Sequence, residues 1–302
     1  MAQRVEMTGK EDPLFACREL EQGNILFFSS TPFPFPEEEI QFLLQQKQLN
    51  RRGRKNIAYK PQLDLMTNHD TSDSAIEEKL KEILRGYSQR TTQFLQTFLT
   101  PYAKNWKIDY TSFRPFQEKG RDLRLRARND LLHFDAFPTR PLNGDRILRF
   151  FTNINPQEDR HWITAEPFSE LVTRYGGHQL RLPKTIDYSW KGRLQRKLIY
   201  FLRKAGAKIP VRSPYDQFML RFHNFLKEES DFQSQGKKDH WYFPPGSCWA
   251  VFTDQVSHAA LSGQYALEQT FLVPVSTLLH PERSPLRFLE RMTGKTLARV
   301  EA

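Results

Sequence analysis

Residues 129–141 read Asn129-Asp-Leu-Leu-His-Phe-Asp-Ala-Phe-Pro-Thr-Arg-Pro141. An apolar approach runs into a histidine, one aromatic residue and an aspartate, and then dissolves into turn residues through Gly144. The approach, Asn129-Asp-Leu-Leu132, reads as a strand that His133 closes. Upstream, Lys107-Ile-Asp-Tyr-Thr-Ser-Phe113 has strand composition, and Leu123-Arg-Leu-Arg-Ala-Arg128 alternates apolar residues with Arg, as a half-buried strand would. Downstream, residues 146–155, 248–253 and 266–273 give three more strands. Short strands parted by Gly, Pro and Asn turns predict an antiparallel sandwich or barrel.

Around this core the period changes. Residues 24–28 form a short apolar strand, and residues 37–46 a helix with acidic residues in its first turn. Residues 51–55, Arg-Arg-Gly-Arg-Lys, form a basic loop. Residues 74–99 carry Ile76, Leu80, Ile83, Leu84, Tyr87, Phe94, Leu95 and Phe98 at helical spacing, with Ser74 and Glu77 as an expected capping box. This helix is expected to pack on a sheet. Residues 166–235 read as a helical insert, and an amphipathic helix follows Pro281. The chain is thus α+β, with an N-terminal α/β layer over residues 1–104 and a β core over residues 105–302.

The chain has 302 residues, with 45 Lys plus Arg against 35 Asp plus Glu, a formal charge of +10. Aromatic residues make up 13%, which excludes a disordered chain. No apolar run is long enough to span a bilayer, and the N-terminus lacks the apolar region of a signal peptide. Two cysteines, Cys17 and Cys248, give no disulfide framework, so a cytoplasmic location is expected. The basic excess predicts an anionic partner. It peaks in residues 184–212, where nine Lys or Arg are interleaved with Trp190, Leu194, Leu198 and Phe201. That segment can lie on an anionic membrane surface, bind nucleic acid, or pack on the core with a solvated basic face.

His133, Asp135 and the distant His258 are the residues that carry chemistry. Two imidazoles and one carboxylate occupy one face of an octahedron. They leave positions open for a co-substrate and dioxygen, the arrangement of non-haem Fe(II) oxygenases. His258 follows the strand Trp249-Ala-Val-Phe-Thr253 and a polar bend, and a returning strand comes after Gly263. His161, His178, His223, His240 and His280 have no matching partners in sequence and read as structural. Cys17 and Cys248 lack the basic setting of a nucleophile.

Three stretches carry a resemblance: residues 131–141, residues 144–156 (Gly-Asp-Arg-Ile-Leu-Arg-Phe-Phe-Thr-Asn-Ile-Asn-Pro) and residues 249–263. They cover the catalytic half, about residues 105–275. The chain resembles the Fe(II)/2-oxoglutarate-dependent dioxygenases of the double-stranded β-helix (jelly-roll, cupin-like) fold. More narrowly it is similar to the hydroxylases of 3-deoxy-D-manno-octulosonic acid (Kdo), which act at the sugar's 3-position on the lipopolysaccharide inner core. The resemblance implies Fe(II) on His133, Asp135 and His258, with 2-oxoglutarate and O2 consumed and succinate and CO2 released. It also implies a substrate such as Kdo-lipid A, and a place at the cytoplasmic face of the inner membrane with no nucleic-acid partner.

Many relatives place a basic residue about ten positions after the distal histidine to hold the 2-oxoglutarate 5-carboxylate. Here that region reads Glu268-Gln-Thr-Phe271. Arg149, in an otherwise apolar strand where an unpaired guanidinium would be costly, is the expected replacement. Thr152 and Asn153 are expected to help it, with Arg128 and Arg160 as alternatives. Arg140 and Arg128 are the expected substrate contacts, and Asp130 a support for a ligand histidine. Arg124, Arg126 and Arg128 either line an anionic-sugar pocket or face solvent. The competing functions are a 2-oxoglutarate oxygenase of proteins or nucleic acids, a non-catalytic cupin-like metal-binding protein, and a Zn(II) hydrolase.

Overall fold

The computed structural model describes residues 1–46, 56–69, 73–177, 179–180, 182 and 212–298. The basic loop 51–55, His178 and residues 184–211 of the basic segment lie outside the described residues. The strands are β1 (Arg4–Met7), β2 (Ile25–Phe28), β3 (Ile57–Lys60), β4 (Leu65–Thr67), β5 (Lys107–Arg114), β6 (Arg146–Asn153), β7 (Arg160–Pro167), β8 (Asp239–Phe243), β9 (Cys248–Phe252), β10 (Val256–Ser262) and β11 (Ala266–Val273). Eight form one sheet in the order β1-β2-β9-β6-β11-β5-β3-β4, and three form a second in the order β10-β7-β8. Apart from the parallel β1–β2 pair, neighbours run antiparallel. The α+β jelly-roll expectation therefore holds. The N-terminal residues do more than cover the core, because β1 and β2 extend one edge of the large sheet and β3 and β4 the other.

The period of two in β6 divides the interior. Leu148 and Phe150 face an apolar layer that includes Leu95 and Phe98. Phe151 faces the small sheet, in a cluster with Trp162, Phe243, Trp249 and Val256. The long helix α3 (Ser74–Phe98), which follows α1 (Pro13–Glu21) and α2 (Glu37–Leu44), covers the large sheet with Leu80, Leu84, Tyr87 and Leu95 fully buried. Its cap is Asp73, whose Oδ1 accepts from the N–H groups of Ala75 and Ile76, so the expected Ser74–Glu77 box is displaced by one residue.

Two strand expectations fail. Residues 123–128 form a 3-10 turn at Leu125–Ala127. Alternation alone builds no strand without a partner edge, and these Arg residues turn to local acids: Arg126 pairs with Glu228 and Arg128 with Asp130. Residues 129–132 form no strand either, although the Asn129 carbonyl accepts from the Ala260 N–H of β10 at 2.8 Å. Leu132 is held instead by the Gln233 side chain, which accepts from its N–H (2.9 Å) and donates to its carbonyl (2.9 Å). Gln233 belongs to the insert. Among the described residues the insert contributes α5 (Phe168–Tyr175), after the one-turn α4 (Thr100–Ala103), then α6 (Pro214–Glu228) and α7 (Ser230–Ser234). A capping box of Ser213 and Asp216 opens α6. The C-terminal helix is α8 (Pro285–Thr293).

Candidate metal centre

His133 and His258 are brought together by the backbone. A single antiparallel bridge joins them, with His133 N–H donating to His258 C=O at 3.1 Å and the reverse bond at 3.0 Å. The Asp135 N–H donates to the carbonyl of Thr253, at the end of β9, at 2.8 Å. Phe134, between the ligands, is fully buried against Phe168 and Phe222 and fixes the turn. One ligand atom from each of His133, Asp135 and His258 lies within 4.8 Å of the other two.

The donor atoms are set by their partners. His133 Nδ1 lies 2.7 Å from the Leu131 carbonyl and His258 Nδ1 2.9 Å from the Val256 carbonyl. A carbonyl only accepts, so both Nδ1 atoms carry the proton and both Nε2 atoms present lone pairs. His133 Nε2 stands 3.6 Å from Asp135 Oδ1, while Asp135 Oδ2 is turned to Arg149 Nε at 2.8 Å. One carboxylate oxygen thus faces the imidazoles and the other a guanidinium. Burial holds both histidines below the ordinary imidazole range, His133 well below it with help from the Lys227 charge. Both imidazoles are therefore neutral at pH 7, the form that a metal requires. Burial would raise the Asp135 carboxyl, but Arg149 and the flanking imidazoles outweigh it and hold it well below its usual value. The residues fit a divalent metal: two neutral nitrogens and an anionic oxygen, all aimed at one point.

The three donors open into a cavity of about 280 Å3 between the sheets. Arg149 lines it, buried and paired with both Asp135 and Glu268. Thr152 does not. It sits on the opposite face of β6, bonded to the Tyr87 hydroxyl (2.9 Å) and the Cys248 thiol (3.2 Å) under α3. Asn153 closes the end of β6 instead, donating to the carbonyls of Glu158 and Phe243. Arg140 lines the cavity, stacked between Tyr110 and Phe137 and paired with Asp109. Arg128 is absent from the lining and makes a bidentate pair with Asp130, so neither contacts the centre. Arg126 reaches the cavity; Arg160 is spent on Glu118 and the Gly263 carbonyl.

Glu268 explains the missing base. It points inward from β11 and bridges Arg149 on β6 and Arg114 on β5, the two strands beside its own. The cations come from the neighbours, and the central strand supplies the counter-charge. Trp162 stacks on His258 with ring centroids 5.2 Å apart. Sequence reasoning passed over Trp162 and Arg114, which only the strand register brings inward. It read His223 as structural and passed over Lys227, yet both line the cavity from α6. Their spacing of four residues on one amphipathic helix was the available signal.

Known proteins share this architecture. A family model described as 3-deoxy-D-manno-oct-2-ulosonic acid (Kdo) hydroxylase matches residues 4–296. The chain is similar to a solved Kdo hydroxylase, KdoO, a non-heme Fe(II) alphaketoglutarate dependent dioxygenase, in complex with alphaketoglutarate and Fe(III). It is 34% identical, with 99% of each chain covered and a TM-score of 0.83. The apo form of KdoO gives 35% identity, 99% of each chain and 0.84, and its cobalt(II) complex 35%, 99% and 98%, and 0.84. No curated protein matches the chain. With the family model running almost from end to end and a third of its residues shared with a solved member over its whole length, the chain belongs to the Kdo hydroxylase family.

Proposed function

We propose that His133, Asp135 and His258 hold Fe(II) in this dioxygenase, which hydroxylates a Kdo sugar of a lipopolysaccharide-type glycolipid. The observation that carries the residue assignment is the convergence of two Nε2 lone pairs and one carboxylate oxygen, each fixed by a second hydrogen bond or ion pair. Bound iron, with 2-oxoglutarate and O2, supplies the oxidant that converts C–H to C–OH and yields succinate and CO2. The protein's part is positional. The carbonyls of Leu131 and Val256 keep both imidazoles in the ligating tautomer, Arg149 keeps Asp135 ionised and turned, and Trp162 shields His258. Arg149, beside Arg114, is the cation we assign to the co-substrate's carboxylates, because both guanidiniums line the cavity next to the triad.

The substrate is anionic, and the rim carries Arg126 and Arg140. No helix among the described residues is long and apolar enough to cross a membrane. The +10 charge supports peripheral docking on the anionic cytoplasmic face of the inner membrane.

The test is anaerobic addition of Fe(II) and 2-oxoglutarate, read as a weak charge-transfer band near roughly 500 nm, the signature of a facial-triad chelate. Wild type forms the band, and His133→Ala, Asp135→Ala and His258→Ala each lose it together with turnover. With Kdo-lipid A and O2, the Kdo unit gains the mass of one oxygen atom as succinate appears. A band that survives in any of the three variants rejects the triad, and succinate without a modified Kdo rejects the substrate.

A further inference from the structure

The cavity opens to solvent beside the 3-10 turn Leu125–Ala127. Arg126 of this turn lines the cavity, yet its side chain is 66% exposed, so it stands at the mouth. Pro138 also lines the cavity and is exposed, which marks another point of the mouth. The turn is held from behind. The Arg128 N–H donates to the Leu125 carbonyl (3.2 Å), and the Lys227 ammonium donates to the carbonyls of Arg126 (3.2 Å) and Arg128 (2.7 Å). Leu125 is thereby presented outward on a fixed turn, 43% exposed. Basic residues surround it. Residues 119–128 hold Lys119, Arg121, Arg124, Arg126 and Arg128 against one acid, Asp122. Arg121, Arg126 and Arg128 are paired with Glu118, Glu228 and Asp130, and Lys119 and Arg124 are exposed.

A single exposed leucine is common on a protein surface and carries no argument by itself. Leu14, at the start of α1, is as exposed at 44%, and no residue of α1 lines the cavity. What singles out Leu125 is its place. A cavity of about 280 Å3 takes a sugar but not the acyl chains of a glycolipid. While the sugar is at the centre, those chains remain in the bilayer, so the surface around the mouth has to face that bilayer. An apolar side chain among basic ones is the chemistry that suits an anionic interface. The leucine enters the acyl boundary and the cations stay among the headgroups.

Resting on the glycolipid reading above, we infer that the Leu125 turn is where this protein docks on an anionic bilayer, with Leu125 inserted and Lys119 and Arg124 against the headgroups. Docking there sets the mouth on the membrane surface. The sugar of a lipid-anchored substrate then enters the cavity while its chains stay in the bilayer.

The experiment uses the full-length protein with vesicles of phosphatidylethanolamine and phosphatidylglycerol. Wild type is expected to cosediment with them, and less so at high salt. Leu125→Gln and Arg124→Gln each weaken binding by about fivefold, the scale of one partly exposed leucine or one interfacial charge. Leu14→Gln, which loses as much exposed apolar surface elsewhere, binds as wild type does. The added emission of Leu125→Trp is quenched by bromine-labelled acyl chains, and that of Leu14→Trp is not. Turnover is measured on Kdo-lipid A in the same vesicles and on its fully deacylated, water-soluble form. Leu125→Gln and Arg124→Gln lose activity on the vesicle-borne substrate alone. Unchanged vesicle binding in both variants overturns the docking site, and so does an equal loss in Leu14→Gln. Equal loss of turnover on both substrates overturns it as well, because the turn then meets the sugar. Loss of Kdo-lipid A turnover with vesicle binding intact puts the substrate's own chains on the turn, and no bilayer. If wild type and variants bind vesicles as expected but neither substrate is oxidised, the Kdo reading falls and the docking site stands.

Discussion

Under the proposed function Arg149 would carry two duties, which separate titrations of one variant can tell apart. Its Nε faces Asp135 Oδ2 and its Nη1 meets Glu268, so the same guanidinium would orient the carboxylate proposed to hold iron and supply positive charge to the co-substrate. Arg149→Ala should raise the 2-oxoglutarate requirement by about tenfold or more, the scale of one lost charge-assisted contact. It should also weaken Fe(II) binding, because Asp135 loses the cation that offsets its burial. Titrating each ligand separately, with the other saturating, measures both effects; an unchanged 2-oxoglutarate requirement would place the co-substrate on Arg114 instead. The triad was legible in sequence because ligand chemistry needs specific residue types in a recurring order. Arg149 was legible because a cation in an apolar strand demands an anion. Thr152 was misplaced by one step of the strand period, which turns a side chain from the cavity to the α3 side.

At the scale of elements, the strands that read clearly were those with apolar runs at the centre of the large sheet, β6, β9 and β11. β7, β8 and β10 were passed over because their polar residues, among them His161, His240 and His258, look like loops until a partner strand is known. The segment before His133 erred the other way: its apolar run is held by side chains of the insert. Gln233 makes both contacts to Leu132 and a third to the Leu226 carbonyl, tying α7 to the ligand-bearing turn. Gln233→Leu should cost about 1–3 kcal/mol for each partly buried polar group left unpaired. It should also weaken Fe(II) binding, since Leu132 adjoins His133. Denaturant unfolding with a parallel metal titration checks this. A loss of stability with unaltered metal affinity would show that the turn is held by Phe134 alone.

Across the whole molecule, a buried chain of charges runs from the metal centre to the turn between β10 and β11: Asp135, Arg149, Glu268, Arg114, Glu118 and Arg160. No sequence pattern announces it, since its members come from five separate segments that only the sheet order brings together. Glu118 is its distant anchor, 4% exposed and facing Arg114, Arg121 and Arg160. Burial works against its ionisation, yet the three guanidiniums outweigh it and lower its pKa from the ordinary 4.5. A carboxyl whose folded pKa is depressed gives stability that is present above the unfolded pKa and lost as pH falls through the folded one. Glu118→Gln should therefore cost about 3–5 kcal/mol at pH 7, where it strands buried cations. The gap between variant and wild type should then shrink as pH drops below about 4.5, where the wild-type carboxylate takes up its proton. Comparing the two proteins at each pH cancels the buried histidines and the other carboxyls, which titrate alike in both. A gap that stays constant from pH 7 to pH 3 would mean that Glu118 stabilises the fold by shape and hydrogen bonding, and that its charge contributes nothing.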